Sequence, residues 1–364
     1  VRKAFILESP YIKRNLFVYE AYNNGKYTIA EKQQMFPHLF NSLSVVIPVL
    51  SSTFASVGRF LKHAGNMSLG MLIIDESGQA VPQSALGAIY RTRRAVVVGD
   101  PLQVEPVVTI PKVLIDILAD STCVANEYKV IENSAQTFAD NINEFNGMIG
   151  ERQVGCPLVV HRRCIEPMFS ISNLISYDNR MFNKTNKKEE YLKPENPFLI
   201  KKSGWINVEG VENGGKDHFV KNQAERVCQL MEDAVHIYSD LFETYDKIFI
   251  ITPFRTVAES MRKFIISYFS VKGYDKEILS KWTKNCVGTV HTFQGKDANE
   301  VLLVLGCSNK SAGAMNWVVK KANILNVACT RAKYRIAFIG NINDWKNRRY
   351  FREFIPNLID IINV

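Results

Sequence analysis

Six apolar runs rich in β-branched residues, each ending in small, polar or acidic residues, constrain this chain more than any other feature. They are SVVIPVLSST (residues 44–53), MLIIDE (71–76), AVVVGD (95–100), IFIITP (248–253), VLLVLG (301–306) and RIAFIG (335–340). A strand covered on both faces is continuously apolar rather than alternating, so these runs predict buried parallel strands. Helical patterns near 81–91, 111–120, 133–144, 165–176, 217–238 and 255–269 interleave with them. Strands alternating with helices build an α/β architecture. The polar, glycine-containing stretch 141–157 predicts a boundary near residue 150, hence domains over 1–150 and 151–364. Residues 1–43 read as mostly helical, and the charged segment 183–203 as an exposed loop.

The chain has 364 residues, 46% apolar and 22% charged, enough to bury two ordinary cores, which excludes a disordered chain. No apolar run approaches the ~20 residues of a membrane-spanning helix, and VRKAFILESP lacks a signal-peptide cleavage pattern. A cytoplasmic chain is expected. The seven cysteines form no C-x-x-C pair, and His38, His63, His218 and His236 show no ligand spacing, so packing or surface positions are expected for both groups. Formal net charge is +9; residues 1–150 hold 13 basic and 13 acidic side chains, and residues 151–364 hold 32 and 23. The excess lies wholly in the second part. It points to a polyanion, nucleic acid first, with a merely soluble basic domain as the alternative.

In open α/β sheets ligands bind beyond the carboxyl ends of the strands, so residues that follow the runs carry the most functional weight. One run delivers Asp75-Glu76-Ser77-Gly78-Gln79. Adjacent acids there can hold Mg²⁺ through its water shell and polarise an attacking water, or Asp75 or Ser77 can cap a helix instead. Twenty-five residues after Asp75 comes Gly99-Asp100-Pro101-Leu102-Gln103, a carboxylate and an amide on a turn that can sense a phosphate. Short hydroxyls at Ser51, Ser52 and Thr53 could bond phosphates or form a Ser/Thr turn.

Together these pieces resemble motifs II and III of superfamily 1 helicases, DE-x-x-Q and GD-x-x-Q, and the second part supplies further motifs in order. Val159-Val160-His161-Arg162-Arg163-Cys164 resembles motif IV, Q-Y-R-M, with Arg163 on the arginine and His161 and Arg162 departing from Gln and Tyr. Ile251-Thr252-Pro253-Phe254-Arg255 resembles the T-P-Y segment that touches nucleic acid. Val287 to Asp297, VGTVHTFQGKD, is close to motif V, with Asp297 where glutamate is usual, and Asn326 to Lys333, NVACTRAK, is nearly all of motif VI. The match spans residues 44 to 340. Within the superfamily it resembles the branch of nonsense-decay and replication-associated helicases with an AAA_12-type C-terminal domain.

The resemblance implies two RecA-like domains with parallel sheets flanked by helices, ATP and Mg²⁺ as cofactors, and single-stranded DNA or RNA as partner. Kinship implies 5′ to 3′ movement. It places Asp75 (through water, on Mg²⁺), Glu76, Gln103, Arg163 and Arg331 in catalysis, and Asp75, Asp100, Gly295, Lys296 and Asp297 at the nucleotide. Ser52, Thr53, Thr252, Arg255, Thr289 and His291 fall on the nucleic acid, with packing or capping as their alternative roles. The arginine assignments suit the chemistry, since guanidinium is always ionised and forked to match phosphate oxygens.

The family's phosphate cradle, G-x-x-x-x-G-K-[ST], does not occur: Gly25-Lys26 precedes Tyr27, Gly215-Lys216 precedes Asp217, and Gly295-Lys296 belongs to motif V. The expectation is a C-terminal part of a larger helicase whose first RecA-like domain is incomplete at its N-terminus. The cradle would lie upstream in the same polypeptide, and the fragment alone would be inactive. The rival is a pseudo-helicase, a scaffold that binds a strand without turnover.

Overall fold

A computed structural model describes residues 2–129, 133–150, 152–185, 198–212, 214, 217–293 and 295–362. Gln294 of the motif V string, Lys216 and residues 186–197 of the expected loop lie outside the described residues. Residues 1–101 with 105–143 form one compact unit, and 102–104 with 144–364 another. The change therefore falls at 143/144, against the expected position near 150, and the tripeptide containing Gln103 groups with the second unit.

The first unit opens with helices α1 (Arg2–Glu8), α2 (Pro10–Asn23), α3 (Ile29–Val46) and α4 (Phe54–Phe60). Helix α3 starts on a capping box in which the Thr28 hydroxyl accepts the Glu31 N–H and Glu31 Oε2 accepts the Thr28 N–H at 2.8 Å. Buried Phe36, Leu39 and Phe40 pack with Tyr22 and Leu61. His63 is buried there, edge-on to Tyr22, which makes it a packing residue. Then follow β1 (Leu72–Ile74), α5 (Pro82–Tyr90), β2 (Ala95–Val97), α6 (Lys112–Ser121) and α7 (Ala135–Ile142).

Strands β1 and β2 pair in parallel, Leu72 opposite Ala95 and Ile74 opposite Val97. One face packs through Ile74, Leu72 and Val97 on Ala85 and Ala135. On the other, Ile73 is 65% and Val96 44% exposed. A parallel sheet is ordinarily covered on both faces, so half of this one is bare.

The run 44–53 is not a strand. Helix α3 continues to Val46, and Pro48 ends it by keeping Ile47 out of the helical region (φ −120°, ψ 88°). Residues 47–53 then run without regular structure, with Val49 79% exposed.

The second unit contains β3 (Gly147–Ile149), β4 (Arg152–Val154), β5 (Val160–His161), α8 (Met168–Ser176), β6 (Phe182–Asn183), β7 (Gly204–Asn207), α9 (Lys221–Ile237), β8 (Ile248–Thr252), α10 (Arg255–Val271), α11 (Lys276–Cys286) and β9 (Val287–Thr289). It ends with β10 (Ala298–Val304), α12 (Ala312–Val318), α13 (Asn323–Arg331), β11 (Ala332–Gly340), α14 (Ile342–Trp345), α15 (Phe351–Leu358) and β12 (Asp360–Ile362). Six strands form one parallel sheet in the order β12-β7-β11-β10-β8-β9.

Every residue of β8 is buried, as are the last five of β10 and of β11, which is why these runs read as continuously apolar. Burying each such Ile, Leu or Phe stabilises the fold by ~1.5–3 kcal/mol. Trp205 stacks on Phe338 at 5.7 Å, and Phe249 on Phe293 at 4.3 Å. The α/β class, with parallel sheets flanked by helices, is the one the strand runs predict. Five of the seven cysteines are buried and all are free. No described helix is long and apolar enough to cross a membrane.

Candidate functional site

In the first unit the parallel register of β1 and β2 carries the DESGQ and GDP turns to the same end of the sheet. Ser77 N–H donates to Val98 O at 3.0 Å, and Ser77 Oγ lies 2.5 Å from Gln136 Oε1 on α7. The two turns press together. A Cβ on Gly78 would stand 2.8 Å from Asp100 O, and one on Gly99 would stand 2.7 Å from Gly78 N, so only glycine fits at either place.

Asp75 and Glu76 are exposed beyond the strand end. Asp75 Oδ1 accepts the Glu76 N–H at 2.9 Å, and Gln79 Nε2 donates to Glu76 Oε2 at 2.9 Å. Glu76 itself sits at φ 52°, a left-handed conformation that costs a non-glycine residue and holds its carboxylate out of the strand line. The single-turn helix Ser77–Gln79 has no side-chain cap, so the capping role considered for Asp75 reduces to one bond with its neighbour. An exposed pair of carboxylates at a strand terminus suits a hard, hydrated Mg²⁺.

Ser52 and Thr53 are exposed in the irregular stretch before α4, where Thr53 Oγ1 lies 3.3 Å from Ser56 Oγ. With Ser51, they follow a proline-stopped helix rather than a strand, a correction to the expected strand-end placement.

In the second unit Arg331, the last residue of α13, is 1% exposed. Its Nη1 donates to Lys296 O at 3.0 Å and Phe293 O at 3.3 Å, and its Nη2 to Gln103 Oε1 at 3.2 Å. The Asn323 side chain donates to Gln103 O, and Asn326 Nδ2 to Leu102 O at 2.9 Å and to the Tyr177 hydroxyl at 3.0 Å. Helix α13 thus grips the tripeptide carrying Gln103 by three side chains, Asn326 and Arg331 from motif VI and Asn323 just before it. Asn326 as the hub of this contact was not anticipated from sequence.

Arg163 is half-buried beside Cys164. Burial pushes the Cys164 thiol up to about 12, while the charges of Arg163 and Arg331 both pull it down, so both guanidiniums act on one buried group. His161 Nε2 accepts the Cys164 N–H at 2.9 Å. Burial, then the Arg163 charge, holds that imidazole below its usual pKa, and the bond matches a neutral ring protonated at Nδ1.

Gly295 has φ +72°, which its lack of a Cβ permits, and exposed Lys296 follows it. Asp297 pairs with Lys333 at 2.5 Å, so the residue standing in place of the usual glutamate has a cation of its own. Thr252 is buried and its Oγ1 lies 3.5 Å from the Phe254 N–H, the arrangement of a turn cap. The Arg255 side chain is 89% exposed and pairs with Glu259 at 2.9 Å. Thr289 is half-buried, its N–H donating to Thr292 Oγ1 at 3.2 Å, and His291 is exposed.

The described residues hold one mixed cluster, Glu212, His218 and Cys307, whose ligand atoms lie within 4.8 Å of one another. His218 Nδ1 and Ser308 Oγ each meet a different Glu212 oxygen at 3.0 Å. Burial raises the Glu212 pKa, but bonds from Ser311, His218 and Ser308 outweigh it and leave the carboxyl below its usual range. Both oxygens are satisfied without an ion, and the cluster ties the segment before α9 to the end of β10.

A family model described as an AAA domain (AAA_12) matches residues 144–343, more than half of the chain, and a second AAA-domain model (AAA_11) matches residues 17–110. The chain is 22% identical over 328 residues to the probable helicase senataxin of Mus musculus, 87% of this chain and 11% of that protein. It is 26% identical over 317 residues to the regulator of nonsense transcripts 1 of Caenorhabditis elegans, covering 80% and 26%. It belongs to the Upf1/Sen1 branch of superfamily 1 helicases. It is also 23% identical over 299 residues to an uncharacterized ATP-dependent helicase of Methanocaldococcus jannaschii, 78% of this chain and 38% of that protein. The chain spans well under half the length of each of these helicases.

Proposed function

We propose that this superfamily 1 chain is the C-terminal part of an ATP-dependent helicase or translocase that moves along single-stranded DNA or RNA, 5′ to 3′ by kinship. The observation that carries the reading is the buried grip of Arg331, Asn323 and Asn326 on the Gln103 segment. A helicase must link a phosphate-sensing amide to a charge-stabilising arginine, and here the two share a hydrogen bond.

In this reading Asp75 and Glu76 are the carboxylates that would hold Mg²⁺ and orient water. The ion would draw charge from the phosphate oxygens. Arg163 and Arg331 stabilise the negative charge of the transferring phosphoryl group, and Gln103 orients beside them. Asp100, Gly295, Lys296 and Asp297 line the nucleotide, Lys333 holding the Asp297 carboxylate in place. Ser52, Thr53, Arg255, Thr289 and His291 meet the strand. Thr252 acts indirectly, by capping the turn that presents Phe254 and Arg255.

The phosphate cradle comes from a further segment of the same polypeptide. The bare apolar face of β1 and β2 is a surface such a segment would cover. The test is phosphate release by the 364-residue chain and by its full-length parent, each with and without single-stranded nucleic acid. The reading expects turnover in the parent alone and its loss in Glu76→Gln. Robust stimulated release by the 364-residue chain contradicts it, and strand binding without turnover in the parent selects the scaffold alternative.

A further inference from the structure

We propose that Trp317 is a stacking platform for an unpaired base of single-stranded nucleic acid, a contact that rests on the nucleic-acid reading above and extends it to a base face. Three of the chain's four tryptophans, Trp205, Trp282 and Trp345, are at most 1% exposed; Trp317 is 53% exposed. Its helix, α12, is anchored by Met315 and Val318, both fully buried, which turns position 317 outward on a rigid support.

Behind the indole lies Phe254, 9% exposed, its ring centroid 5.8 Å away and tilted by 35°. Phe254 follows the carboxyl end of β8 and directly precedes exposed Arg255, and α12 follows the carboxyl end of β10. Trp317 therefore stands at the strand ends where this fold class binds ligands. The Phe254 ring in turn rests on His218 at 4.9 Å, whose carbonyl accepts the Cys307 N–H at 2.9 Å, so the support is tied to both strands.

Cations flank its helix along the chain. Exposed Lys310 precedes α12 and exposed Lys320 follows it, and Arg348 Nη1 donates to Asn316 Oδ1, next to Trp317, at 2.5 Å. An exposed aromatic face on a helix with a lysine beyond each end suits a ligand that is anionic along its backbone and aromatic in its side groups. Single-stranded nucleic acid is that ligand, its phosphates meeting the lysines and a base meeting the indole.

The buried tryptophans make the test direct. The chain is titrated with oligothymidylate, with oligouridylate and with an abasic strand of the same backbone, while tryptophan emission and binding are recorded. The expected result is quenching by the base-bearing strands that Trp317→Phe abolishes, with binding largely kept because phenylalanine also stacks. Trp317→Ala weakens binding of the base-bearing strands roughly 5- to 100-fold and leaves abasic binding unchanged. Circular dichroism confirms that the variant folds. Strand binding with no quenching, or with equal affinity of wild type and Trp317→Ala, overturns the proposal and spares the helicase reading. Failure to bind any strand overturns both.

Discussion

Glu300 is fully buried in β10, the strand that runs from the motif V segment to the sheet's carboxyl end. Its Oε1 accepts the Leu199 N–H at 2.9 Å and the Tyr238 hydroxyl at 2.6 Å, and its Oε2 accepts the Ile200 N–H at 2.6 Å. Glu300→Ala strips three donors, the buried Ile200 N–H and the half-buried Leu199 N–H and Tyr238 hydroxyl, of their acceptor. At ~1–3 kcal/mol per stranded group, less what water recovers, the loss is about 3–6 kcal/mol. Glu300→Gln keeps one carbonyl oxygen for two donors and sets its amide N–H₂ against the third, a loss of about 1–3 kcal/mol. All four tryptophans lie in the second unit, so urea unfolding followed by tryptophan emission reports that unit. With a slope of ~3 kcal/mol per molar urea the midpoint falls by about 1–2 M for Ala and by less than about 1 M for Gln. Equal penalties, or both below about 0.5 kcal/mol, refute the idea that three bonds to one carboxyl group fasten residues 199–200 to the sheet. The pH dependence has a definite sign. Burial, opposed by bonds from Tyr238, Ile200 and Leu199, holds the Glu300 carboxyl above its usual range. A raised folded-state pKa contributes stability that is complete below the unfolded value of about 4.3 and is lost as pH rises through the folded one. The margin of wild type over Glu300→Gln is therefore larger near about pH 4 than near about pH 8.

Gly99→Ala drives a Cβ into the backbone of Ser77 and Gly78; about 1–3 kcal/mol of destabilisation should appear as faster amide exchange at Ser77 and Val98, and unchanged exchange would refute the close approach. Arg331→Lys keeps the charge but loses the fork that reaches Lys296 O, Phe293 O and Gln103. ATP turnover of the full-length parent should drop roughly 10³-fold or more, and retention above a tenth of wild-type rate counts against a catalytic arginine. Glu212 has a lowered folded-state pKa, so its contribution is present above the unfolded value and disappears as pH falls through the folded one. The thermal midpoint of wild type should then fall more steeply on acidification than that of Glu212→Gln, and parallel curves would contradict this.

The apolar runs at 248–253, 301–306 and 335–340 read directly as buried strands because local composition and final environment agree: each lies inside the sheet, covered on both faces. Motif order likewise groups Gln103 with Arg331, and the two side chains share a hydrogen bond. The run at 44–53 failed for a reason composition does not carry. Helix α3 runs on to Val46 and takes up the start of the run, and Pro48, which has no N–H to give a strand ladder, follows at once.

What residue order alone determined is the alternation of apolar strand and helix and the basic excess after residue 150, since these follow from local sterics and solvation. Only the tertiary structure decided that Glu300 is a buried fastener, that Asn326 joins motif VI to the Gln103 tripeptide, that Thr252 is a turn cap, and that Trp317 faces solvent. Apart from Thr252, whose cap reaches only two residues along the chain, each depends on partners that lie dozens to hundreds of residues away or on a helix face selected by packing. Burial and pairing are properties of the folded neighbourhood, and a linear pattern does not specify that neighbourhood.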